Sequence, residues 1–88
     1  MKEETIIIKN ELGLHARPAA MLVKLSTSFD SEVELEVNEI KVNAKSIMGV
    51  LMLGANQGTE VIIRANGDDE EQALKEIKQL FEDGFGEK

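Results

Sequence analysis

The apolar positions change period several times along this chain, and each change marks an element. Thr5–Ile8 is short and β-branched, which predicts a strand. From Ala16 onward, Ala19, Leu22, Val23 and Ser26 recur at helical spacing, with Leu25 and Phe29 widening the apolar side. This predicts a helix over roughly 16–27 whose opposite stripe holds Arg17, Met21 and Lys24. Glu32–Val37 alternates strictly, which predicts a strand with Val33, Leu35 and Val37 inward and three glutamates in water. Asn38-Glu39 then reads as a tight turn into a strand over Ile40–Asn43, with Ile40 and Val42 inward. Glu39 suits a positive φ poorly, so the turn type stays open.

Lys45–Gly54 predicts a short helix, with Ser46 as N-cap and Gly54 as the stop. All of Ile47–Leu53 is apolar except Gly49, yet a two-turn helix in so thin a domain buries one face only. Inward Ile47, Val50 and Leu51 would leave Met48 and Met52 in solvent as an adaptable docking patch. The alternative is a helix buried on all sides. Glu60–Ala65 predicts a strand with Val61 and either Ile62 or Ile63 inward. Asp69 and Gln72 resemble a capping box that opens a last helix. Its stripe is Ala73, Leu74, Ile77, Leu80 and Phe81, and its end is Gly84. Glu71–Lys75 and Lys78–Glu82 are spaced as ion pairs on its exposed face. The order βαββαβα points to the α+β class: an open-faced β-sandwich with a four-stranded antiparallel sheet and three helices on one face, one domain over 1–88.

Composition removes several functions. There is no Cys and one His, so neither a thiolate nor a His-rich metal site is available, and no metal or cofactor is expected. The net charge of −7 argues against a nucleic-acid partner, which would need a basic footprint. The start MKEETIIIKN lacks the basic and long apolar regions of a signal peptide, and no run approaches the ~20 apolar residues of a membrane helix. A cytoplasmic monomer is the expectation.

The chemistry concentrates in LGLHARPAA, residues 12–20, which holds His15, Pro18 and Arg17 within four positions. Gly13 permits an unusual turn, and Pro18 fits a first helical turn, where its missing N–H costs little. His15 would then stand at or beside the N-cap, where free N–H groups and the helix dipole favour anions. Arg17 adds a forked donor for phosphate-like oxygens. An imidazole, with an ordinary pKa of about 6.5, is largely neutral at pH 7 and nucleophilic. These features suit a phosphohistidine site whose partner enzyme supplies the remaining phosphoryl chemistry. A plain capping or surface histidine fits the same residues, and spacing alone leaves both readings open. Ser46 is likewise either an N-cap or a site where a phosphate would put about two negative charges beside the apolar patch.

The segments GLHARPAA (13–20), VNAKSIMGVLMLG (42–54), QGTEV (57–61) and the last amphipathic helix resemble the HPr family, the histidine-containing phosphocarriers of the bacterial phosphotransferase system. NELGLHARPA, KSIMGVLML and FEDGFGE resemble its nitrogen-related branch in particular. The resemblance spans nearly the whole chain without gaps. It implies a phosphoryl carrier rather than an enzyme, with His15 as the active histidine, phosphorylated on Nδ1, and Arg17 assisting transfer. It implies enzyme I, charged by phosphoenolpyruvate, as donor and enzyme IIA proteins as acceptors, in sugar uptake or in regulation. Ser46 matches the position modified by an HPr kinase/phosphorylase. The implied docking surface is Ala16, Arg17, Ala20, Met21 and Lys24 with Ile47, Met48 and Leu51, which puts Ile47 outward. Leu12 stands where sugar-transporting relatives often carry a small polar residue near the imidazole, so one candidate partner of His15 is lost. Because βαββαβ is widespread, a ferredoxin-like regulatory domain that binds a small ligand is the alternative, and a plain docking module a third.

Overall fold

A computed structural model describes residues 1–87. In chain order the elements are β1 (Lys2–Ile7), α1 (Ala16–Thr27), β2 (Glu32–Val37), β3 (Ile40–Asn43), α2 (Ile47–Met52), β4 (Glu60–Asn66) and α3 (Glu70–Glu82). A single 3-10 turn over Gly84–Gly86 follows α3. The four strands form one antiparallel sheet in the order β1-β4-β2-β3. No helix is long and apolar enough to cross a membrane among the described residues.

Period-2 alternation assigns each strand's two faces. Ile6, Val33, Leu35, Val37, Val61, Ile63 and Ala65 are buried against Ala19 and Leu22 of α1 and Ala73, Leu74, Ile77 and Phe81 of α3 within one apolar cluster. Of the two candidates in β4, Ile63 is therefore the inward one, and Ile62 is half-buried. Phe81 and Phe85 meet edge to face at 4.9 Å between centroids, a pair worth about 0.5–1.5 kcal/mol beyond its burial.

Ile40 departs from the expectation. It pairs with buried Val37 and so shares the core face, yet it is 56 % exposed. It stands at the turn end of an edge strand, and burial there depends on helix cover that alternation alone does not reveal. Val42, further along, packs partly against the core. The turn itself has positive φ at both Asn38 (50°) and Glu39 (69°), as a two-residue type I′ hairpin demands, so Glu39 accepts a conformation better suited to Gly.

The glutamates of β2 are not simply solvated. Register places Arg64 beside Glu3 and Glu34, and its guanidinium reaches Glu3 and Glu34 at 3.0 Å each and Glu36 at 2.6 Å. These three acceptors, Glu36 first, raise the Arg64 pKa above its already high ordinary value. The ion pairs of α3 also differ from the expected ones: Glu71 meets Lys2 at 3.4 Å and Lys78 meets Glu4 at 3.5 Å, both across to β1. Helical spacing permits i,i+4 pairing, but the sheet edge beneath α3 offers competing partners.

Asp69 is the N-cap of α3 without capping it. Its carboxylate accepts instead from the Ser31 hydroxyl and from the Asp30 and Ser31 backbone N–H groups, the latter two at 2.9 Å. These donors, the Ser31 hydroxyl foremost, hold its carboxyl below the ordinary value near 3.8. A depressed folded pKa stabilises the fold above the ordinary carboxylate range, and that contribution disappears as pH falls through the folded value. Asp69→Asn is accordingly expected to lower Tm at pH 7 and to converge with the parent in strong acid. Thermal unfolding followed by circular dichroism from pH 7 to pH 2 measures this; parallel curves would exclude the link.

Candidate functional site

The loop before α1 is pinned by its backbone. Gly13 has φ +65°, its N–H donates to the Asn10 carbonyl at 3.2 Å, and the Leu14 N–H donates to the Ala55 carbonyl at 2.9 Å. A Cβ on Gly13 would lie 2.2 Å from that Ala55 oxygen, so only glycine permits the approach. The loop delivers His15 to the N-cap of α1 in extended geometry (φ −81°, ψ −171°), with the side chain free of capping duty. Pro18, third in the helix and buried, supplies a fixed φ where an N–H would go unused. No acidic residue lies in the first turn of α1, so nothing local offsets the positive helix end.

A distant carboxylate does reach the site. Glu87 Oε1 lies 2.9 Å from His15 Nε2, and Glu87 Oε2 accepts from Arg17 Nη1 at 3.2 Å. Asn10, 1 % exposed, donates through Nδ2 to the Gly13 carbonyl at 2.7 Å and to Glu87 Oε1 at 3.2 Å. The His15 bond leads the causes that lower the Glu87 pKa from its ordinary value, with Asn10 and Arg17 adding to it. His15 itself is partly exposed and Arg17 largely so. A histidine at a helix start, a forked cation two residues on and an exposed ring can accept and hold a phosphoryl-sized anion. Residues 2–83 match a family model described as the PTS HPr component phosphorylation site.

The chain belongs to the HPr family. It is 46 % identical over 87 residues to the phosphocarrier protein HPr of Xylella fastidiosa (strain 9a5c), covering 99 % of this chain and 98 % of that one. A crystal structure of HPr-C-His from Thermoanaerobacter tengcongensis superposes with a TM-score of 0.96 at 53 % identity, over 100 % of this chain and 99 % of that one. An HPr dimer from the same organism matches with a TM-score of 0.80 at 54 % identity, over 99 % of this chain and 100 % of that one. As an HPr, this protein has a phosphocarrier role in the phosphotransferase system and is a carrier rather than a catalyst.

In this HPr, α1 and α2 pack against one another, which brings the two expected docking stripes onto neighbouring helices. Ala16, Arg17, Ala20 and Lys24 are exposed on α1, and Met21 is half-buried against the core. On α2 only Val50 is buried. Ile47 and Leu51 are exposed, against the inward placement that a one-face reading suggested, and Met48 and Met52 are 66 % and 75 % exposed. The short helix has room for one buried residue over the sheet, so it is not enclosed on all sides. Ser46 caps it, its Oγ accepting from the Gly49 N–H at 3.1 Å. Leu12 is 71 % exposed, and the polar partner of the imidazole is Glu87, which Asn10 in turn holds by a hydrogen bond. Neither was singled out in the sequence, because no local spacing links position 15 to position 87.

Proposed function

We propose that this HPr takes a phosphoryl group on His15 from phosphorylated enzyme I, charged by phosphoenolpyruvate, and passes it to enzyme IIA proteins. The observation that carries the reading is His15 at the N-cap of α1 with its side chain uncommitted to capping and Arg17 beside it. Arg17 and the first-turn N–H groups balance the incoming charge. Ala16, Ala20, Met21, Lys24, Ile47, Met48 and Leu51 form the surface that both partners cover in turn, with methionines able to repack for each. The chain works as one domain, as a cytoplasmic monomer, with no nucleic-acid or membrane partner, and without metal or cofactor. Incubation with phosphoenolpyruvate and enzyme I should label His15 with acid-labile, base-stable phosphate, read by mass spectrometry. A competent enzyme I that leaves the chain unlabelled would sink the reading.

Ser46 is the regulatory position, addressed by an HPr kinase/phosphorylase. A phosphate there sits favourably at the helix start but sets about two negative charges beside Ile47 and Met48, which blocks docking without unfolding α2. The phosphoserine form is expected to accept phosphoryl groups from enzyme I at least about tenfold more slowly. Equal transfer rates for the two forms, measured by quenched flow, would remove this mechanism.

A further inference from the structure

The apolar face of α2 is crowned by sulfur. Val50 is the buried residue of this helix. At about 100° per residue, Met48 and Met52 each stand about 160° away from Val50, one on either side, so the two thioethers straddle the outermost line of the helix. They lie one turn apart and are 66 % and 75 % exposed, while Ile47 and Leu51 on the flank are 39 % and 38 % exposed. Met21, across on α1, is half-buried against the core. Met1 is also exposed, with its amino group 3.3 Å from Glu70. The chain holds four methionines and no cysteine, so no thiolate of its own intercepts an oxidant first.

We propose that Met48 and Met52 form a paired, reversible oxidation site for peroxide, through which an oxidant lowers phosphoryl transfer by spoiling the docking face. This rests on the carrier reading above, in which Met48 belongs to the docking surface; Met52 extends that surface by one turn.

The step balances with peroxide alone. A lone pair on Sδ attacks one oxygen of hydrogen peroxide and forms the S–O bond. The O–O bond breaks, its electron pair leaves with the departing oxygen, and that oxygen takes the proton of the transferred one to become water. Sulfur loses two electrons and peroxide gains them. The return step is that of a methionine sulfoxide reductase: two thiols close to a disulfide, the sulfoxide oxygen leaves as water and the thioether returns. The chain contains no thiol, so the reductase supplies both.

Oxidation turns a flexible apolar tip into a polar, chiral one. The sulfoxide oxygen is hydrated while exposed and loses that hydration under an apolar partner surface that offers no donor. Two sulfoxides on one ridge impose the cost twice. The fold is left alone, because neither Met48 nor Met52 is in the buried core and both Val50 and the Ser46 cap stay in place. The change also adds no charge. Its effect on transfer is therefore insensitive to salt, unlike that of a phosphate at Ser46.

The test treats the full chain with hydrogen peroxide and maps the added oxygen by peptide mass spectrometry. Met48 and Met52 should react ahead of Met21. Transfer from phosphorylated enzyme I to the oxidised chain should slow by about tenfold, at low and high salt alike, and recover after treatment with the two epimer-specific reductases and a dithiol. The double variant Met48→Leu, Met52→Leu keeps apolar bulk and cannot be oxidised there. Its rate after peroxide should equal its own rate before, although Met1 and Met21 remain. Circular dichroism of the oxidised parent should match that of the untreated chain. Any of three results overturns the proposal: oxidised parent that transfers at the untreated rate, a double variant that peroxide slows as much as the parent, or Met21 reacting first. An untreated parent that takes no label removes the carrier reading, and the effect on docking with it. A labelled parent that oxidation does not slow removes only the oxidation site.

Discussion

His15→Ala is expected to fold normally and to take up no phosphoryl group. Among the described residues the His15 side chain makes one hydrogen bond, to Glu87, and does not cap α1. Its extended backbone is open to alanine, and Glu87 retains Arg17 and Asn10 as partners. The stability cost should therefore stay below about 1 kcal/mol. Transfer is different, because the lone pair that bonds phosphorus is deleted outright. The chain contains no other histidine and no cysteine to replace it. Labelling from enzyme I should drop at least about a thousandfold, to the background of the assay. Thermal unfolding beside a labelling time course checks both halves, and a variant that labels at the parent rate would move the carrier site elsewhere.

Gly13→Ala should have the largest effect of any change that leaves the reacting groups intact. Two penalties combine at this position. The backbone is at φ +65°, which costs an L-residue about 1–2 kcal/mol. The new methyl would also meet the Ala55 oxygen at 2.2 Å and the Asn56 Cα at 2.8 Å, both backbone atoms that no rotamer change can move aside. The loop must lift, breaking the Leu14-to-Ala55 hydrogen bond. A total of about 2–4 kcal/mol is expected. His15 follows Leu14 directly, so the same displacement carries the imidazole away from Glu87 and transfer should fall with stability. Urea unfolding together with the labelling rate measures the coupling. A variant that unfolds at the parent's midpoint and keeps that rate would show that the close approach is unnecessary.

Much of this fold could be read locally. The alternation of Glu32–Val37 and the helical recurrence from Ala16 to Thr27 mark elements whose observed limits agree, because backbone period and burial of one face are short-range properties. The N-cap role of Ser46 belongs with them, since it needs only a hydroxyl three residues ahead of an N–H. β1 begins earlier than its β-branched run suggested, at Lys2, because pairing with Ala65 of β4 extends the ladder through polar residues. The start of α1 was legible for the same reason: His15, Arg17 and Pro18 lie within one turn of chain.

Where side chains chose among several possible partners, the linear order was silent. Asp69 left its capping position for Ser31, Lys78 left Glu82 for Glu4, and Arg64 collected glutamates from two neighbouring strands. Ile40 lies exposed although its alternation is correct, because cover by a helix is a property of the assembled layers. Composition and pattern were enough to specify the sheet, the helices and the place of His15 at the start of α1. The arrangement that surrounds that histidine depended on the left-handed reversal at Gly84–Gly86, which brings position 87 to within 2.9 Å of position 15. Hydrophobic period carries information over a few residues. A hydrogen bond between positions 15 and 87 forms only after the core has closed and fixed the distance between them.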